Sequence, residues 1–305
     1  MTDSLRYWPQ SANRRTDLRM NYKNLAAQAL SAALKVRSRA KADLVSPVCP
    51  YDICQELNIS VKFVDVNMEG VYVKEPKPRI VVSALRPLAR RNFTCGHELG
   101  HHIFGHSSNL DLLIKDRDDD SYESPEEFLA DSFSSFLLLP ALGVRKAFAV
   151  RSWNPQSAPP AQIFTVACNF GVGYTTLINH LTYSLNQISR AQAKELLRSS
   201  PRTIREGILG NLSSGGLTII DQHWLAPTAD VEVGSNLLLP PNALPSNDTL
   251  APVEDSPLQN LFRAMRPGIV RISTPLNDWA IFVRVMPFQF VGLARYRHLE
   301  ADEDD

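Results

Sequence analysis

The stretch Cys95-Gly-His-Glu-Leu-Gly-His-His-Ile-Phe-Gly-His106 contains four of the seven histidines of this 305-residue chain. Within it, His97 and His101 are four residues apart, and Glu98 directly follows the first of them. On an α-helix, this spacing places both rings on the same face, one turn apart. Two imidazoles arranged in this way can bind one Zn²⁺ at about 2.0–2.1 Å each. We therefore predict a helix that carries a zinc site.

Glu98 is the predicted general base of this site. Its position next to a metal-binding histidine should place the carboxylate beside the open coordination position of the metal. There it can accept a proton from the water that zinc activates, because zinc lowers the pKa of that water to about 7. The same metal would polarise a peptide carbonyl for attack. The alternative interpretation is a histidine-rich, solvent-exposed helix turn without a metal.

A catalytic zinc site needs a third protein ligand, and its fourth position is left for water. Downstream, Glu127 and Asp131 are four residues apart on a second predicted helix and should share one face. We predict Glu127 as the third ligand, with Glu126 and Glu123 as alternatives. We predict that Asp131 accepts a hydrogen bond from the outer N–H of a metal-bound histidine and so fixes its tautomer. Manganese or iron would also fit a site of two histidines and one carboxylate.

Several side chains near the predicted ligands also have structural interpretations. Ser124 and Glu127 have the spacing of a capping box, in which the glutamate bonds back to the backbone N–H of the serine. His102 and His106 fall off the ligand face of the helix, so we assign them surface or core roles, with a hydrogen bond to the substrate as the alternative. Cys95 lies roughly opposite the ligands and is predicted to be a buried, unreactive thiol.

Composition and charge indicate a soluble cytoplasmic protein. The chain carries 32 basic and 32 acidic residues, which argues against a protein dominated by contacts to nucleic-acid phosphates. Its four cysteines form no Cys-x-x-Cys pair, so we expect reduced thiols rather than a disulfide framework. The N-terminal region lacks the apolar segment of a signal peptide, and no apolar run is long enough to span a membrane.

The pattern along the chain predicts four parts: a flexible arm (1–21), a metallopeptidase domain (22–150), a helical subdomain (151–200) and a β-rich domain with an acidic tail (201–305). Periodicity and turn residues predict the elements within them. Predicted helices cover 22–40, 51–57, 87–106, 124–140, 161–169, 174–185 and 189–199, and predicted strands cover 61–66, 70–74, 79–83, 217–221, 269–274, 279–285 and 288–297. We expect loops at 107–124, which is acidic, and at 237–257, which contains five prolines.

Residues 165–181 have the pattern of a helix-turn-helix motif, with Gly171 at the turn. The second helix of this pair contains no lysine or arginine between 174 and 184, whereas a DNA-reading helix normally contacts phosphates. We therefore predict a structural helical hairpin, and we do not expect the chain to bind nucleic acid directly.

Two segments together resemble the ImmA/IrrE family of metallopeptidases. They are Arg91-Asn-Phe-Thr-Cys-Gly-His-Glu-Leu-Gly-His101 and Glu127-Phe-Leu-Ala-Asp-Ser-Phe-Ser-Ser-Phe-Leu-Leu-Leu-Pro140. The family pattern is Phe-Thr-x-x-His-Glu-Leu-Gly-His followed by Glu-x-x-Ala-Asn/Asp-x-Phe-Ala-x-x-Leu-Leu-Met-Pro. Serine at 134 and 135 replaces the usual small alanine positions, which is a mild departure. The resemblance covers about 22–185 and is strongest between 91 and 140.

This resemblance implies an α+β, zincin-like metallopeptidase domain in which His97, His101 and Glu127 bind zinc and Glu98 is the base. Several members of the family cleave helix-turn-helix repressors and so switch on phage, mobile-element or stress genes. The implied substrate is therefore a DNA-binding repressor encoded nearby. The alternative is a zinc-stabilised regulator that binds a repressor or antitoxin without cutting it. The oligomeric state remains open, as does the oxyanion-stabilising donor, for which Tyr122, His106 and Arg91 are candidates.

Overall fold

The computed structural model describes residues 12–106, 124–210, 215–254, 256–276 and 278–299, with side chains from residue 22 onward. The predicted α+β class is confirmed, because helices and sheets are both present and largely occupy separate parts of the chain. The acidic loop at 107–124, apart from Ser124, and the acidic tail at 300–305 lie outside the described residues.

The first part of the chain packs four helices against a four-stranded sheet. Its elements are α1 (Ala12–Arg39), α2 (Pro50–Glu56), β1 (Ser60–Val64), β2 (Gly70–Val73), β3 (Arg79–Ser83), α3 (Leu88–Phe104) and α4 (Pro125–Leu138). Strand β12 (Gly292–Leu293), from the end of the chain, completes this sheet, whose order is β12-β1-β3-β2, with β1 parallel to β3 and β2 antiparallel to β3. The alternating burial of β1 reflects its apolar residues, which face a core shared with α1, α3 and α4.

The middle of the chain is helical, and two further sheets follow it. The helices are α5 (Ala141–Ala149), α6 (Pro160–Asn169), α7 (Tyr174–Asn179) with a π-helical extension (His180–Ser184), α8 (Arg190–Leu196) and α9 (Pro201–Leu209). The strands are β4 (Leu217–Ile219), β5 (Thr228–Glu232), β6 (Asn236–Leu238), β7 (Leu244–Pro245), β8 (Leu250–Pro252), β9 (Leu261–Ala264), β10 (Gly268–Ser273), β11 (Ala280–Met286) and β12 (Gly292–Leu293). They form sheets of order β5-β11-β10-β7 and β4-β6-β9-β8 around a common core.

The last described elements return to the first sheet. Strand β12 pairs antiparallel with β1, and a 3₁₀ helix (Ala294–Tyr296) follows it. Arg297 then donates a hydrogen bond of 2.9 Å to Asp52 on α2, and Arg284 on β11 donates one of 2.8 Å to the same carboxylate. The predicted β-rich domain is therefore tied to the first domain by a strand and by two ion pairs to Asp52.

Three predictions about secondary structure are wrong. Helix α1 begins at Ala12, so residues 12–21 do not belong to a flexible arm, because this basic stretch contains no helix-breaking residue. The predicted strand 288–297 contains only β12 and the 3₁₀ helix, since Gln289 and Gly292 have positive φ. The proline-rich segment 237–257 is not one long loop but contains β7 and β8, both at sheet edges, where proline is tolerated.

The helix-turn-helix-like pair consists of α6 and of α7 with its extension, whose axes differ by 100°. Leu177, Ile178 and Leu181 are fully buried in the second helix, and Tyr174 and His180 are nearly so. Few of its side chains are therefore accessible to a DNA groove. Among the described residues no single helix is long and apolar enough to cross a bilayer, while two bent pairs, α4 with α5 and α6 with extended α7, pass that test as pairs.

His180 couples the helical part to the end of α4 and should make stability depend on pH. Its Nε2–H donates a hydrogen bond of 2.9 Å to the carbonyl of Leu139. Burial lowers the pKa of His180 to about 4, below the ordinary value of 6.5. The neutral ring therefore contributes stability that is complete above pH 6.5 and is lost as the pH falls toward 4.

Between pH 7.5 and 5.5, the unfolded chain gains a proton at position 180 that the folded protein does not accept. We expect this to remove about 1.4 kcal/mol of unfolding free energy from the wild type. The variant His180→Asn keeps a donor for Leu139 but does not titrate, so it should lose that much less over the same interval. Urea unfolding of both proteins at the two pH values measures the difference, and parallel pH profiles would contradict the prediction.

Candidate metal centre

Helix α3 carries the histidine-rich segment and packs in the core that α1, α4 and the first sheet share with it. It begins after Pro87 and ends at Gly105, whose φ of 71° is a left-handed conformation that glycine adopts without strain. This turn reverses the chain, and the backbone N–H of His106 donates to the carbonyl of His101 at 3.0 Å. The predicted helix is therefore present, and its C-terminal cap folds one further histidine back toward the centre.

Small residues let α3 and α4 approach each other closely. A Cβ added to Gly96 would lie 2.5 Å from Ser134 Oγ, and one added to Gly100 would lie 3.0 Å from the Cα of Ala130. The Ser134 hydroxyl donates a hydrogen bond of 2.8 Å to the carbonyl of Phe93 across the contact. Because the two backbones nearly touch, side chains on their adjoining faces can converge on one point.

The three predicted ligands converge at this contact. His97 Nε2 lies 2.9 Å from His101 Nε2 and 3.2 Å from an oxygen of Glu127, whose other oxygen lies 3.5 Å from His101 Nε2. One ligand atom from each residue lies within 4.8 Å of the others. Two atoms bound to one tetrahedral zinc ion are about 3.4 Å apart, so a divalent cation fits this donor set after small adjustments.

The outer nitrogens of both histidines have partners of their own. The Nδ1–H of His97 donates to Asp131 at 2.7 Å, and His101 Nδ1 lies 2.9 Å from His106 Nδ1. These contacts orient each ring so that its Nε2 faces Glu127. The partner predicted for a histidine, Asp131, lies next to His97. The role of His106 was missed, although Gly105 just before it is a signal for a chain reversal.

The pKa values of His97 and His101 shift in opposite directions. Burial lowers the pKa of His101 to about 4, so the ring is neutral at pH 7 and its lone pair can bind a metal. Burial also opposes protonation of His97, but its hydrogen bonds to Asp131 and Glu127 outweigh that effect and raise its pKa to about 10. A cation at Nε2 of His97 would take the place of this proton.

Glu98 is buried beside the ligands without being one of the three converging residues. Its side chain lies against the edge strand β2, since a Cβ added to Gly70 would be 3.2 Å from the Cγ of Glu98. Burial raises the pKa of Glu98 to about 7, although the charge of His97 acts in the opposite direction. A carboxyl group that binds and releases a proton near neutral pH is suited to general base catalysis.

The alternative ligands Glu126 and Glu123 and the candidate oxyanion donor Tyr122 are not among the described residues that converge at the site. The Ser124 hydroxyl accepts a hydrogen bond from the backbone N–H of Glu127 at 3.2 Å, so half of the capping box forms while the Glu127 side chain faces the histidines. Glu126 is exposed, and Glu123 and Tyr122 lie outside the described residues.

Three other side chains near the centre, His102, His106 and Arg91, are also not among the candidate metal ligands. His102 Nδ1 lies 2.8 Å from the hydroxyl of Tyr72. Arg91 is fully buried and forms an ion pair of 2.5 Å with Glu232 of the second sheet, so it serves the interface between the domains. Of the three candidate oxyanion donors, Arg91 is therefore occupied elsewhere and His106 contacts His101.

Replacing Asp131 by alanine should weaken zinc binding by about 10–100-fold, because the carboxylate orients His97 and increases the basicity of its ring. The side chain is 36% exposed, so we expect little loss of stability. Competition with a chromogenic chelator measures the zinc dissociation constant. The matched control is Glu126→Ala on the exposed face of the same helix, and equal zinc affinity in both variants would contradict the role of Asp131.

Residues 54–182 match the model of a family of peptidases that is described as the IrrE N-terminal-like domain. The match contains all of the converging residues and extends from α2 to the π-helical extension of α7. The family resemblance inferred from the two motifs is thereby confirmed. No curated protein gives a significant match to the chain.

Proposed function

Because residues 54–182 belong to the IrrE N-terminal-like family of peptidases, we propose that this protein is a zinc-dependent endopeptidase that cleaves a helix-turn-helix repressor. The observation that carries the proposal is the convergence of His97, His101 and Glu127 beside Glu98, which is buried and is not one of the converging residues. In this proposal the first domain is zincin-like and the α6–α7 pair is a helix-turn-helix-like structural hairpin. Cleavage would switch on phage, mobile-element or stress genes.

The chemistry divides between the metal and the protein. A zinc ion held by the three ligands would supply Lewis-acid activation of a water molecule and of the peptide carbonyl. The Glu98 carboxylate accepts a proton from the attacking water and can pass it to the nitrogen of the leaving amine. Asp131 holds the His97 ring in the tautomer that leaves Nε2 free for the metal.

The edge of β2 offers a place for an extended substrate. Among the described strands β2 pairs only with β3, so its other edge is unpaired. A Cβ added to Gly70 at its start would lie 2.5 Å from Thr94 and 3.2 Å from the Cγ of Glu98, so the strand runs directly against α3. A peptide that adds to this edge as a further strand would pass beside the general base.

The proposed site of action is the cytoplasm, where a repressor would be found. All four cysteines are free thiols, in line with a reducing compartment. The buried second helix of the α6–α7 pair and the balanced net charge favour a protein that acts on a DNA-binding protein over one that reads DNA itself.

A non-proteolytic regulator is the second candidate function. The same three ligands would hold zinc as a structural element, and the protein would bind a repressor or antitoxin without cutting it. Glu98 argues against this candidate, since a purely structural zinc site has no need of a buried carboxylate beside its ligands.

The test uses the purified full chain and the repressor encoded beside its gene. We expect about one zinc per chain and cleavage of the repressor into two fragments, with the cut located by mass spectrometry. EDTA should stop cleavage, and stoichiometric zinc should restore it. If the zinc-loaded protein binds the repressor but leaves it intact, the regulator is the correct function.

A further inference from the structure

A cavity of about 1100 Å³ lies where the three parts of the chain meet. Its walls come from the start of α3, from the end of α6 with the following turn, and from β4 and β5. The metal ligands are not among its lining residues, so it is separate from the candidate metal centre. Its size and its position between domains are typical of sites for small molecules.

Most of the cavity wall is apolar or aromatic, and a buried amide in it is left without a partner among the described residues. Phe93, Phe170, Trp224 and Phe288 contribute aromatic rings. Asn169 is only 2% exposed, yet neither its amide nitrogen nor its amide oxygen has a hydrogen-bond partner among the described residues. Leaving such an amide unpaired in the interior is unfavourable, so its presence indicates a partner that the described residues do not supply.

The charges around the cavity leave a positive excess. Both carboxylates of the wall are already paired, Asp230 with Arg284 at 2.6 Å and Glu232 with Arg91 at 2.5 Å. Arg205 on α9 lines the cavity, and no ion pair or hydrogen bond of its guanidinium occurs among the described residues. An anionic group is therefore the complement that this wall lacks.

A second basic region lies at the start of α3. Arg86 and Arg90 both line the cavity and share a single carboxylate, Glu69, at 3.0 and 2.8 Å. The helix begins between them without a side-chain cap. Free backbone N–H groups and the positive end of the helix dipole add to the attraction for an anion.

We propose that this junction cavity binds a nucleotide. The phosphate is held by the basic groups of the wall, the base packs among the aromatic rings, and the Asn169 amide pairs with the donor–acceptor edge of the base. An asparagine amide matches such an edge with two hydrogen bonds, and aromatic side chains stack on bases. The inference does not depend on the peptidase activity.

The test is isothermal titration calorimetry of the full chain with AMP, GMP, CMP and UMP, and with inorganic phosphate as a separate probe. The titrations are made in EDTA, so that binding of phosphate groups to a metal at the other centre does not contribute. We expect at least one nucleotide to bind one per chain, and inorganic phosphate to bind far more weakly. The proposal is overturned if none binds at about 1 mM, or if phosphate alone binds as tightly.

Two variants locate the site. Asn169→Leu should weaken binding about 10-fold or more, while the ligand-free protein unfolds at the same or a higher temperature, because an unpartnered amide is replaced by an apolar group of similar size. Arg205→Gln should also weaken binding about 10-fold, whereas Arg202→Gln on the same helix, outside the cavity, should not. Binding that neither variant changes would show that the nucleotide sits elsewhere and would overturn the assignment.

Discussion

Replacing Glu98 by glutamine should lower the rate of substrate cleavage by about 10²–10⁴-fold while the protein keeps its full zinc content. Glutamine has nearly the shape of glutamate but cannot accept a proton from water. Glu98 is 8% exposed and is not among the three converging residues, so the substitution leaves the ligand set intact. The loss should therefore appear in kcat and not in metal affinity.

The measurement pairs a cleavage time course with metal analysis of the same preparation. Glu126→Gln is the matched control, because it makes the same chemical change on the exposed face of α4 and should leave the rate unchanged. A Glu98→Gln variant that holds zinc and still cleaves at the wild-type rate would remove Glu98 from the mechanism. A variant that loses its zinc would instead show that Glu98 contributes to metal binding.

Replacing Arg37 by methionine should reduce the free energy of unfolding by about 3–5 kcal/mol. The guanidinium is fully buried and donates to three backbone carbonyls, those of Asp43, Ser46 and Leu137, at 2.8, 2.5 and 2.6 Å. Methionine fills much of the same volume but leaves all three acceptors without a donor. Leu137 lies in the last turn of α4, so the change loosens the helix that carries Glu127.

Urea unfolding at pH 7.5 measures this loss. The control is Arg39→Met, which removes an exposed arginine two residues further along α1 and should change stability by less than about 0.5 kcal/mol. Equal stability of the two variants would mean that water satisfies the three carbonyls once Arg37 is gone. We also expect the Arg37 variant to bind zinc more weakly, because part of the binding energy then has to order α4.

The candidate site was more predictable from sequence than the rest of the fold. Helical periodicity alone places His97 and His101 on one face, and the spacing of Glu127 and Asp131 places them on the next helix. The closeness of the two helices depends on Gly96 lying against Ser134, and that is a tertiary match without a local signal. His106, in contrast, was missed although Gly105 just before it is a local signal for a chain reversal.

The remaining differences between the predicted and the observed secondary structure have separate causes, of which long-range strand pairing is the first. Strand β12 is only two residues long and pairs with β1 across more than 220 residues, so no sequence window contains the information. Helix α5 directly follows Pro140, where the predicted helix 124–140 ends, because proline is as compatible with the start of a helix as with the end of one. Helix α9 lies at the start of the segment 201–305, which was predicted as β-rich because of the strands that follow the helix.

The return of β12 to β1 sets an order of events during synthesis on the ribosome. The sheet beneath α3 lacks its fourth strand, and Asp52 lacks both of its arginines, until residues 284–297 have left the exit tunnel. The proposed metal ligands on α3 and α4 are translated more than 150 residues earlier. The nascent chain therefore carries its proposed metal ligands for most of translation on a domain whose edge is still open, and the complete fold exists only after the C-terminal sheets have been made.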